Sequence, residues 1–311
     1  MSYRLVFFGS STFGLPSLES LLAMSDVTLV GVVSQPAKPV GRKAEVSPTP
    51  VAAWAQSHGI PVYTPDSLRS SAIAATLTNL KADTFVVAAY GLILPQNILD
   101  IPEHQCLNIH ASLLPKYRGA SPIAAALLRG DNETGISFML MDPGVDTGPV
   151  LEQHRVPIIT SDTTPILEAR LAAEAADHLA SLLENWWNKK IIPQPQSGQS
   201  SYAPMLQVDD GRVDWSSAVM TERKIRAYQP WPGVWTMWNG QRLKIISAEV
   251  QSTVYAGIPG LIMKLDQEPG WGVVCQDGLL IPHLVQLSGK KPVAASTLPG
   301  SYPNFIGSRF D

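Results

Sequence analysis

The 311-residue chain carries 45% hydrophobic and 16% charged side chains, the balance of a folded globular protein, and its length suits two domains better than one core. A formal net charge of −3 excludes a uniformly basic nucleic-acid-binding coat. The two cysteines, Cys106 and Cys275, stand far apart without metal-ligand spacing; neither a disulfide framework nor a metal is expected.

No run approaches the roughly 18 uninterrupted apolar residues of a membrane span. Met1-Ser2-Tyr3-Arg4 leads straight into a strand-like run without a signal-peptide pattern, so a cytoplasmic protein with no membrane partner is expected.

In chain order, residues 4–8 form a short apolar strand, and a helical pattern follows Gly9-Ser10-Ser11-Thr12 to about residue 24. Gly9 and Gly14 bracket this turn, but the middle glycine of a dinucleotide fingerprint is missing, so a plain strand-to-helix turn is expected. Residues 27–33 are rich in β-branched side chains and read as a strand. A proline-rich loop over 34–50 leads to a helix at 51–57. Strands follow at 84–88 and 106–110, and helices at 120–128 and 166–187. This alternation predicts an α/β fold, a Rossmann-like and mostly parallel sheet covered by helices.

Proline, glycine and serine over 190–206 break the periodicity and mark a linker. Beyond it, a helical segment at 216–226 and strands at 234–238, 243–250, 261–265, 272–276 and 279–287 predict a small β-barrel. The expected organisation is 1–189, a linker at 190–206, and 207–311.

The most informative residues are Asn108 and His110. Side chains at i and i+2 of a strand share a face, so an amide and an imidazole project together from one strand end. Ligands of such sheets bind outside the carboxyl ends of strands. Asp146, in Asp142-Pro143-Gly144-Val145-Asp146-Thr147-Gly148, supplies a carboxylate from a later turn. Amide, imidazole and carboxylate are parts for acyl transfer without a covalent enzyme intermediate.

The run Ser112-Leu113-Leu114-Pro115-Lys116-Tyr117-Arg118-Gly119-Ala120-Ser121-Pro122-Ile123 resembles the signature of formyltransferases that use 10-formyltetrahydrofolate. With Ala89-Tyr90-Gly91-Leu92-Ile93-Leu94-Pro95, Gly211-Arg212-Val213-Asp214-Trp215 and Tyr228-Gln229-Pro230-Trp231-Pro232-Gly233, it makes nearly the whole chain similar to the methionyl-tRNA formyltransferase family. The resemblance implies a catalytic, folate-binding domain at 1–189 and an oligonucleotide-binding-like barrel at 207–311 that helps hold tRNA. It implies Asn108, His110 and Asp146 as catalytic residues, and Ser112, Leu113, Leu114 and Pro115 as the folate-binding segment. The loop holding Lys38, Arg42 and Lys43 corresponds to an insertion that enters the acceptor end of methionyl-initiator tRNA. A monomer is expected. The rival activities are formyl transfer to an amino-sugar nucleotide and hydrolysis of the same folate.

Two departures from the family pattern stand out. Ala37 occupies a position where an aspartate is common, and Tyr202-Ala203-Pro204-Met205-Leu206-Gln207 carries no lysine where the family linker has them. Fewer phosphate contacts imply a smaller salt dependence of tRNA affinity.

Overall fold

The computed structural model describes residues 2–40, 45–253, 255 and 257–311. They divide into two compact units. The first comprises Met1–Pro122, Glu133–Pro157 and Glu168–Pro204, and the second Ile123–Asn132, Ile158–Leu167 and Met205–Asp311.

Among the described residues, eleven strands belong to the first unit: β1 (Tyr3–Gly9), β2 (Val27–Val33), β3 (Lys38–Val40), β4 (Glu45–Ser47), β5 (Val62–Tyr63), β6 (Thr84–Ala88), β7 (Cys106–His110), β8 (Arg118–Gly119), β9 (Glu133–Leu140), β10 (Val150–Pro157) and β11 (Tyr202–Ala203). Seven make the main sheet, in the order β10-β9-β7-β6-β1-β2-β5. From β7 to β5 every pairing is parallel; β9 runs antiparallel to both β7 and β10. Every residue of β6 and β7 is buried, the continuous apolar habit of strands covered on both faces.

Local capping fixes the helices beside the sheet. Thr49 accepts the Ala52 amide at the start of helix Pro50–Ser57, and Ser70 accepts that of Ile73 at the start of Ser71–Asn79. The proline-rich loop expected at 34–50 contains the hairpin β3–β4. The helix expected at 166–187 runs Thr164–Trp187. At its end Trp187 stacks on Tyr3 with ring centroids 3.8 Å apart and donates from Nε1 to the Thr84 hydroxyl at 2.9 Å. No helix among the described residues is long and apolar enough to cross a membrane.

The second unit carries β12 (Val234–Trp238), β13 (Gln241–Gln251), β14 (Ile262–Lys264), β15 (Trp271–Cys275), β16 (Gly278–Leu287) and β17 (Val293–Ala294). They form one antiparallel sheet in the order β12-β13-β16-β15-β14, with β17 on β16. Its core is aromatic. Trp271 meets Phe305 edge-on at 4.8 Å, and Trp215 stacks on Phe310 at 5.4 Å. Trp235 and Trp238 are buried, while Trp231 is 53% exposed.

Candidate active site

Strand β7 ends at the carboxyl edge of the sheet, and there the sequence-selected side chains meet. Asn108 and His110 are both nearly enclosed. Asp146 stands between them: Asn108 Nδ2 donates to its Oδ1 at 3.3 Å, and His110 Nδ1 lies 3.6 Å from its Oδ2. The Gly119 amide also donates to Oδ2, at 2.8 Å. Asp146 reaches this position with a φ of +52°, a left-handed conformation that a residue with a Cβ adopts rarely. Only the –NH2 of Asn108 can donate to a carboxylate, so its orientation is set, and one of its two amide hydrogens remains to be presented elsewhere.

His110 Nε2 lies 2.9 Å from the Tyr117 carbonyl. A carbonyl only accepts, so Nε2 carries a proton and Nδ1 is the nitrogen facing the carboxylate. Tyr117 and Gly119 therefore join the site through backbone atoms, which a search for reactive side chains passes over. Gly119 has a φ of +109°, and a Cβ there would lie 2.7 Å from the Ala203 carbonyl oxygen. Glycine lets β8 and β11 approach while its own N–H reaches Asp146.

The segment expected to hold folate is anchored firmly. Ser112 is fully buried and its hydroxyl donates to the Lys116 carbonyl at 2.6 Å. The Ser137 hydroxyl donates to the Ser112 carbonyl at 2.6 Å and accepts the Leu114 amide at 3.0 Å. Gln153 Nε2 donates to the Leu114 carbonyl at 2.9 Å. Leu114 is buried, leaving Leu113 and Pro115 half-buried as the members with side chains near the surface. Lys38 is exposed, and its Nζ donates to Gln35 Oε1 at 2.7 Å. Arg42 and Lys43 lie outside the described residues.

Gln196, within the stretch read as a linker, is the residue that composition concealed. Its Nε2 donates to the carbonyls of Asp146 and Gly148, both at 2.8 Å, and its Oε1 accepts from Arg118 Nε at 3.0 Å and Nη2 at 2.7 Å. Ser201 extends this brace, its hydroxyl accepting the Tyr117 amide at 2.9 Å and its carbonyl the Arg118 amide at 2.9 Å.

Two other features could in principle take a ligand. A cavity of about 380 Å³ is lined by Gln96, Leu99, Gln105, Met141 and Pro143, among others, but by none of Asn108, His110 and Asp146. Among the described residues, Glu152, His154 and His178 bring possible metal-ligand atoms within 4.8 Å of one another. His154 Nε2 lies 2.9 Å from Glu152 Oε1, His178 Nε2 lies 3.2 Å from Glu174 Oε1, and the two imidazoles stack at 3.5 Å with planes 15° apart. Nearly parallel rings hold their in-plane lone pairs side by side instead of converging on one point. The cluster therefore reads as two carboxylate–imidazole pairs. Burial pushes the Tyr90 hydroxyl up to about 12, and it keeps its proton.

Comparison with known proteins adds an independent line. Residues 3–183 match a family model described as formyl transferase, and residues 205–302 one described as formyl transferase, C-terminal domain. The chain is 44% identical over 298 residues to a methionyl-tRNA formyltransferase of Roseiflexus castenholzii, covering 95% of each protein. It is 43% identical to that of Paramagnetospirillum magneticum, again over 95% of each. Among solved structures, an N-formyltransferase from Helicobacter canadensis in complex with folinic acid and dTDP-3-aminofucose superposes with a TM-score of 0.66. That match covers 91% of this chain and 99% of the other at 19% identity, a likeness of fold.

Proposed function

The chain belongs to the methionyl-tRNA formyltransferase family, and from that premise we propose that it moves the formyl group of 10-formyltetrahydrofolate onto the free α-amine of methionyl-initiator tRNA. The product is formylmethionyl-tRNA for translation initiation, and tetrahydrofolate is released. The observation that carries this reading is the Asp146 carboxylate held between the Asn108 amide and the His110 imidazole.

The amine attacks the formyl carbon, a C–N bond forms, and the carbonyl electron pair moves onto oxygen. The free amide hydrogen of Asn108 meets the developing oxyanion. His110 reaches the same oxygen by exchanging the Tyr117 carbonyl for it, keeping its count of hydrogen bonds. Collapse of the tetrahedral adduct breaks the bond to N10 and restores the carbonyl. The proton lost by the attacking amine ends on N10, relayed by a water that Asp146 and His110 order. No side chain is acylated on this route.

In the same reading the segment Ser112, Leu113, Leu114 and Pro115 holds the folate, with Leu113 and Pro115 presenting their side chains to it. Lys38, Arg42 and Lys43 meet the acceptor end of the tRNA, and residues 207–311 hold more of it. The protein works as a monomer in the cytoplasm. The test presents the formyl-folate with charged initiator tRNA, uncharged tRNA or an amino-sugar nucleotide. Formylation of the charged tRNA alone is expected; formylation of the sugar nucleotide, or formate release without an acceptor, would replace this assignment with a rival one.

A further inference from the structure

We propose that Gln196 is a positioning residue for the reaction, acting through Asp146; the inference rests on the assignment of Asp146 to the reacting site. Its carboxamide closes a ring of contacts. Starting from the Asp146 carboxylate, the ring passes to the Gly119 amide, back one residue to the Arg118 guanidinium, across to Gln196 Oε1, and from Gln196 Nε2 to the Asp146 carbonyl. The same nitrogen also holds the Gly148 carbonyl. Both faces of the turn that presents Asp146 are thus tied to one side chain: its backbone directly, and its carboxylate through the residue beside Arg118.

The chemistry of the ring selects an amide. Two backbone carbonyls require a donor and the guanidinium requires an acceptor, and a carboxamide offers both from one rigid plane. Arg118, itself held through its backbone by Ser201, orients that plane so that the –NH2 faces the turn. The turn has reason to need holding, since Asp146 occupies left-handed backbone space that persists where the surroundings over-determine it. A misplacement of about 1 Å at such a site costs on the order of 100-fold in rate.

Gln196→Glu separates the two halves of the clamp. A carboxylate keeps, and strengthens, the contact with Arg118, yet sets its oxygen against the Asp146 and Gly148 carbonyls. Gln196→Ala removes both halves. Two readouts on the full-length protein test the idea: hydrogen exchange of the Gly119 amide, which needs no turnover, and steady-state formyl transfer from 10-formyltetrahydrofolate to charged initiator tRNA. In both variants Gly119 exchange should quicken at least tenfold. The kcat should fall by about 10- to 100-fold, with KM for both substrates within about threefold of the parent. If the alanine variant melts early, the glutamate variant decides, because its ion pair with Arg118 retains the packing. Unchanged Gly119 exchange, unchanged kcat, or a loss confined to KM would each overturn the proposal. A parent protein inactive toward charged tRNA would instead sink the functional reading, while the exchange experiment would still judge the clamp.

Discussion

Replacing Asn108 separates chemistry from stability. In Asn108→Ala the site loses the amide that the proposed reaction sets against the formyl oxygen, and removal of one such donor costs about 2.7–4 kcal/mol of transition-state stabilisation, or about 10²–10³ in kcat. The structural loss is smaller. Only the 3.3 Å bond to Asp146 disappears, worth roughly 1.5 kcal/mol at the weak end for a charged acceptor, so the melting temperature should drop by only about 2–4 °C. Asn108→Asp has nearly the parent shape but opposite consequences. Two carboxylates about 3.3 Å apart at an effective dielectric of about 20 repel by about 5 kcal/mol, which rivals the whole stability of a domain. The aspartate variant should therefore be both the less active and the less stable of the two. Single-turnover transfer to charged initiator tRNA, paired with thermal melts, measures both quantities. An alanine variant within threefold of the parent rate, or an aspartate variant more active than the alanine one, would refute the placement of Asn108 beside the oxyanion and Asp146.

Three other outcomes follow from the geometry. Ser137→Ala orphans the buried Leu114 amide and Ser112 carbonyl, at about 1–3 kcal/mol for each buried group, and should lower the urea midpoint markedly where a surface serine would not. Glu168 has its carboxyl pushed up by burial, opposed by the Thr12 hydrogen bond. A raised folded value means that its stabilising contribution is present at low pH and lost as pH rises through that value, so Glu168→Gln should raise the melting temperature at neutral pH, with the gain vanishing below about pH 4. A gain that persists in acid would contradict this. Burial pushes both thiols up, that of Cys275 to about 12; iodoacetamide at neutral pH should leave both untouched in the folded protein and label both in denaturant.

The parallel core was legible because its strands are written in one alphabet. Val27–Val33 and Thr84–Ala88 fall where β-branched and aromatic runs place them, and Cys106–His110 follows in the same alternation of strand and helix. Strands β9 and β10 did not announce themselves. Glu152, Gln153, His154 and Arg155 give β10 a polar middle, and its extended form comes from pairing along β9, a tertiary cause that no local window contains. The hairpin β3–β4 was similarly hidden by prolines that read as loop. In the site, Asn108 and His110 were found because strand spacing puts them on one face. Gly119, Tyr117 and Gln196 were not found: the first two act through the backbone, and the last stands among prolines, serines and a glycine whose composition says only that periodicity has ended.

The stretch 190–204 joins two units yet is grouped with the first, and residues inside it grip Asp146, Arg118 and Tyr117. Anyone building chimaeras between such proteins faces a choice of splice point that composition alone would misjudge. A crossover before residue 190 exchanges the grip along with residues 205–311, so any slowed turnover would be laid to the wrong part of the chain. Fusing after Pro204 keeps the grip with the turn and strand that it holds.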